Sequence, residues 1–205
     1  MPPAGRDPGL PRAPGPAAAA GPAAEARPGV LALVPFYCGE RSALLEPLAG
    51  ELRATFGLEV ERQAPNFDPE TAFDGSRGQY NSRLLLALLL RHHPGTAKVL
   101  GVTDADLFIP VLTFVFGEAQ LDGRAALVSS HRLAPERYGL PADRALLQAR
   151  LVKEAIHELG HACGLVHCSD GRCVMASSPE VVGIDLKTAA FCYRCTAALD
   201  RRERA

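Results

Sequence analysis

The chain has 205 residues, 47% of them hydrophobic and 22% charged, with a formal net charge of −1. That balance suits a globular domain and argues against wholesale disorder. It lacks the basic surplus that nucleic acid or an anionic membrane surface would require. No apolar run approaches the ~18 residues of a membrane span; the longest, Leu84 to Leu90, stops at Arg91 and two histidines.

Residues 1–28 hold 8 prolines, 9 alanines and 4 glycines, so three residue types fill 21 of 28 positions. Such a stretch buries too little apolar surface to offset its ordering entropy, and a disordered tail is expected. A signal peptide is the rival, but the prolines break up the apolar run it needs. The domain is expected from residue 29 to 205, with 165–199 as its C-terminal part. The segment 30–35 reads as a strand, 42–56 as a helix despite Pro47, and 58–63 as a half-buried strand. Residues 64–77 are turn-rich, 78–93 read as a second helix, and 97–108 as a strand ending in polar residues. The segments 113–120 and 124–130 flank Asp122-Gly123, a hairpin signal. A long helix is expected from about Asp143 to Cys163, after Pro141. Strands, crossover helices and one hairpin predict an α/β fold with a twisted, mixed, mostly parallel sheet.

The informative segment is "HELGHACGLVHC", residues 157–168. His157 and His161 are four apart, hence about 40° apart in projection and on one helix face. Two imidazoles so placed can reach one zinc ion. Gly164 falls where a helix ends and can take the left-handed conformation that turns the chain back. That turn could bring His167 to the same ion, leaving a fourth position for water. Glu158 is placed to hold that water and remove its proton. On the helical wheel Val152, Ile156, Leu159 and Cys163 form a core-facing stripe, with the two histidines opposite it, toward a cleft. Ordinary hydrogen bonding would explain a lone histidine pair, but not three histidines, a Glu and a Gly at five fixed positions. His92, His93 and His131 have no such spacing.

The cysteines form a second constellation. Setting Cys163 aside as a small core residue, Cys168 and Cys173 (C-x4-C) and Cys192 and Cys195 (C-x2-C) could supply four thiolates to a tetrahedral, closed structural zinc. Two disulfides are the alternative and would need an oxidising compartment. Cys38 is isolated and expected to be structural. Cys168 follows His167 directly, and successive side chains of an extended segment point oppositely, so each could face its own ion.

These residues resemble the archaemetzincin family of zinc metalloproteases, in the metzincin clan. The likeness rests on "HELGHACGLVHC", "CVM" at 173–175 and "CYRC" at 192–195. It extends to "GVTDADLFIPVLTFVFGEA" at 101–119 with "AALVSSHRL" at 125–133. It implies His157, His161 and His167 as catalytic zinc ligands and Glu158 as general base. It further implies Cys168, Cys173, Cys192 and Cys195 as structural zinc ligands, and Met175 as a tight turn beneath the catalytic ion. The family fold implies an edge strand that binds extended substrate, here around Phe114 to Glu118. The expected function is a cytoplasmic, monomeric zinc peptidase with two zinc ions, acting on peptides or proteins through Glu-assisted attack of a zinc-bound water. The rival readings are a zinc-stabilised interaction protein with a vestigial site and a zinc hydrolase of non-peptide amides.

Overall fold

A computed structural model describes residues 27–203. The expected tail lies outside the described residues except for Arg27 and Pro28, which open the first strand, β1 (Arg27–Phe36). The first helix, α1 (Leu45–Phe56), begins three residues later than expected, after a 3-10 turn at Gly39–Leu44. Pro47 explains the delay, because only a helix's first turn has amides that need no intrahelical partner. Gly57, at φ 65°, ends α1 in the left-handed region and leads into β2 (Glu59–Arg62).

The turn-rich stretch carries β3 (Phe73–Asp74), which pairs with β4 (Gln79–Asn81). The second helix, α2 (Ser82–His92), therefore starts at Ser82 rather than at 78. Gln79–Asn81 are taken by the sheet, and the Asn81 side chain caps the helix, accepting a hydrogen bond from Arg83 N at 3.1 Å. The strand expected over 97–108 is interrupted, giving β5 (Thr96–Thr103) and β6 (Leu107–Phe108). Between them Asp104 pairs with Arg41, and Asp106 accepts two bonds from Arg132 at 2.6 and 2.7 Å. The hairpin is present as β7 (Gly117–Ala119) and β8 (Ala125–Ser129), with residues 113–116 crossing toward β6 through a bridge between Val115 and Leu107. Then follow α3 (Arg144–Ala162), α4 (Val181–Leu186) and α5 (Tyr193–Glu203).

The main sheet has the order β2-β1-β5-β8-β7, all parallel except the antiparallel β7–β8 pair at one edge. A smaller sheet, β3-β4-β6, stands beside it. Alternation along the central strands fills two cores. Leu31 and Leu33, Leu100 and Val102, and Ala126 and Val128 pack with α1 and α3. Ala32 and Val34, Val99, and Ala125 and Leu127 pack with α2. A sheet covered on both faces needs such near-continuous apolar strands. Only the short β7 remains as an edge on that side, next to α3, and the functional residues gather there. Among the described residues no helix is long and apolar enough to cross a membrane.

Candidate active site and four-cysteine cluster

Helix α3 starts at an Asp143 cap, whose carboxylate accepts a hydrogen bond from Leu146 N at 2.9 Å. It ends in a left-handed turn at Gly164, φ 87°. Leu165 N bonds Gly160 O at 2.9 Å and Gly164 N bonds His161 O at 2.8 Å, the paired bonds of a Schellman cap. That reversal carries His167 back over the helix. The ligand atoms of His157, His161 and His167 all lie within 4.8 Å of one another.

Both helical imidazoles are held by backbone carbonyls. His157 Nδ1–H donates to Val174 O at 2.8 Å, and His161 Nδ1–H donates to Leu165 O at 2.7 Å. The two Nε2 atoms, left without hydrogen, lie 3.1 Å apart. Two lone pairs so close repel unless a cation sits between them, so the donor set fits a metal such as zinc. Burial, reinforced by the Lys187 ammonium, holds His157 down to about 3, and burial also lowers His161, which favours the neutral form that can ligate a metal. His157 lines the cavity described below although it is only 6% exposed, whereas His167 is exposed.

Met175 is fully buried under this helix, and a Cβ on Gly160 would lie 2.5 Å from its Sδ. The bare Cα of Gly160 leaves the space that the Met175 thioether fills. Val174 is the residue whose carbonyl orients His157, so this packing bears directly on the imidazole. Glu158 shares a cavity of about 340 Å³ with His157, His167, Glu154 and the stretch Leu112–Gly117. A Cβ on Gly117 would stand 2.9 Å from Glu158 Oε1, so the bare backbone of the edge strand makes room for the carboxylate. Burial, and the nearby Glu154, push the Glu158 carboxyl well above the usual range, against the pull of Lys187.

The four expected cysteines also converge, with sulfurs within 4.8 Å of one another. Cys168 Sγ lies 3.7 Å from Cys192 Sγ, and Cys173 Sγ 3.7 Å from Cys195 Sγ. None of the four is joined in a disulfide, the sulfurs of each near pair standing well beyond bonding distance. Four sulfurs at ~2.3 Å from a tetrahedral zinc stand about 3.8 Å apart, so the spacing fits that ion. Hydrogen bonds from backbone amides, that of Cys195 first, bring Cys192 down to about 7, whereas burial raises Cys173 and Cys195. His167 and Cys168 do belong to different groups, as their alternation predicts.

Cys163 is not a core residue. It is the half-exposed C-cap of α3, because the helix ends one residue earlier than the wheel assumed and the stripe ends with it. Cys38 is structural in its setting, its thiol donating to Val102 O at 3.3 Å. His93 and His131 are bound elsewhere, to Gln63 at 2.9 Å and to Asp104 O at 3.0 Å. Two residues beside the cavity escaped sequence reasoning. Glu154 and Lys187 form a buried ion pair at 2.8 Å, with side chains 5% and 0% exposed. Glu154 could have been noted one turn before Glu158 on the same face, but nothing local marks Lys187.

Comparison with known proteins agrees with this geometry. The family model for "Peptidase family M54" matches residues 70–201. The archaemetzincin of Methanocaldococcus jannaschii is 47% identical over 140 residues, 67% of this chain and 76% of that one. The archaemetzincin of Pyrococcus abyssi is 36% identical over 181 residues, 84% and 95% of the two chains. Among solved structures, archaemetzincin from Methanopyrus kandleri superposes with a TM-score of 0.76 at 38% identity, covering 86% of this chain and 96% of that one. A zinc-dependent peptidase from Methanocorpusculum labreanum gives 0.73 at 32% identity, covering 83% and 100%. The chain belongs to peptidase family M54, the archaemetzincins, and is a zinc metallopeptidase.

Proposed function

We propose that His157, His161 and His167 hold a catalytic zinc, that Cys168, Cys173, Cys192 and Cys195 hold a structural one, and that Glu158 is the general base of peptide hydrolysis. The observation that carries the reading is the pair of Nε2 atoms 3.1 Å apart, each imidazole fixed through Nδ1, with Glu158 beside them in the cavity. Zinc bound there would supply Lewis acidity, polarising a carbonyl and acidifying water.

The remaining work falls to the chain. Edge strand β7 offers unpaired backbone groups along which an extended peptide can lie, bringing its carbonyl toward the histidines. Glu158 accepts no hydrogen bond from any described residue, so its oxygens are free to take a proton from water and pass it to the departing amine. Its burial favours the protonated form once the proton is taken up. A buried carboxylate with no partner is costly to a protein that uses it only as scaffold, which supports an enzyme over a binding module. The cysteine cluster, through Cys168, fixes the loop carrying His167, so its role in stability is also a role in geometry.

The test is Glu158→Gln, which keeps size and removes the proton acceptor. Cleavage of a mixed peptide library should fall by ~10²–10⁴, with zinc content unchanged at two ions per chain. Full cleavage at full zinc would remove Glu158 from the reaction.

A further inference from the structure

The cavity beside His157 is lined by Phe114 and Phe116, by Ser177 and Ser178, and by Glu154, one turn before Glu158 on α3. Glu154 is 4% exposed, and its Oε1 lies 2.8 Å from Lys187 Nζ. Lys187 follows α4, has no exposed side-chain surface, and reaches back under the cavity wall, where Nζ also donates to Ala176 O at 3.4 Å. The pair therefore joins the active-site helix to the segment that leads from Met175 into the cavity wall. The other charges near it are engaged or belong to the reaction. Lys153 donates to Ile184 O and Asp185 O, Arg150 is paired with Asp185, and Glu158 stands beside the histidines.

We propose that this cavity takes one side chain of the substrate, and that the Glu154–Lys187 pair sets the charge it accepts, selecting an uncharged residue. The inference rests on the peptidase reading above and adds the substrate class. A Lys or Arg side chain entering the cavity would leave water and find the Glu154 carboxylate already paired. An Asp or Glu side chain would meet Glu154 on the cavity wall, with the Lys187 ammonium behind it already engaged. Either loses its hydration without gaining a partner, which is discrimination by an unmet charge. An uncharged side chain loses far less hydration than a charged one and meets the two phenyl rings and Ser177.

The test measures binding, so that turnover is not needed. Full-length, zinc-loaded protein carrying Glu158→Gln is titrated with blocked, fluorescent peptides that differ at a single position, holding Leu, Gln, Lys or Glu there, each position in turn. At one position the Leu and Gln peptides should bind at least about tenfold more tightly than the Lys and Glu peptides. Adding Glu154→Gln, which leaves a lone ammonium, should restore the Glu peptide at that position. Adding Lys187→Met, which leaves a lone carboxylate, should restore the Lys peptide. A clasp that only held the wall in place would weaken all four peptides alike, and that result overturns the proposal. So does a parent protein that prefers a charged residue at every position, a result that stands even where neither variant folds. If the parent binds none of the peptides, the peptidase reading fails, and this inference with it.

Discussion

Gly160→Ala isolates the contact that links α3, which carries His157 and His161, to the turn beneath it. In an open helix the substitution would stabilise by ~1 kcal/mol, because alanine loses less backbone entropy than glycine. Here the added methyl would meet Met175 Sδ at 2.5 Å, Met175 Cε at 3.2 Å and Phe191 Cε1 at 3.3 Å. Met175 is fully buried, so its thioether can move only by repacking among core neighbours. Overpacking of this kind costs ~1–3 kcal/mol, which cancels or exceeds the helix gain. The displacement also pushes on Val174, whose carbonyl holds His157 Nδ1 at 2.8 Å, so zinc affinity should fall by ~10–100-fold. The assay is a double-mutant cycle with Met175→Ala, read by denaturant unfolding and zinc titration. Met175→Ala alone should cost ~2–5 kcal/mol, but in its background Gly160→Ala should become stabilising. A coupling within ~0.5 kcal/mol of zero would refute the close-packing argument.

Gly117→Ala places a methyl 2.6 Å from Leu127 O and 2.7 Å from Glu158 Cγ, and the backbone oxygen cannot yield. Peptide cleavage should drop by ~10² through displacement of the carboxylate, and unchanged cleavage would sever the edge strand from Glu158. Cys192→Ser should lower folded yield and melting temperature by opening a closed metal site, whereas His161→Ala should mainly remove one zinc and activity; elemental analysis and thermal melts of the two variants separate these outcomes. A chelator should strip the three-histidine site before the four-cysteine site, and one zinc or none in protein purified under reducing conditions would contradict the two-site reading. Asp143→Ala should cost ~1 kcal/mol by removing the cap on Leu146 N, seen as a lower unfolding midpoint.

The candidate metal-binding groups were legible because their geometry is local. Four residues of helix set the relation of His157 to His161, and one glycine reverses the chain to His167, so spacing alone carries the information. The C-x4-C and C-x2-C pairs work likewise, since a tetrahedral sulfur cluster constrains each short loop. Central strands were equally plain, because a sheet covered on both faces demands runs such as Val30 to Val34 and Ala125 to Val128.

What depends on distant partners could not be read. Whether Gln79–Asn81 would join a helix or a strand was decided by β3 and β6, which offered hydrogen bonds outside the segment. Cys163 looked like core on a helical wheel, but the wheel assumed a helix that had already ended. Lys187 lies 33 positions from Glu154, and only the return of the chain beneath α3 brings the ammonium to the carboxylate. Period and spacing encode what a few consecutive residues do to one another. Burial, pairing of charges and the close approach of Gly117 to Glu158 or Gly160 to Met175 exist only once separate elements are packed together.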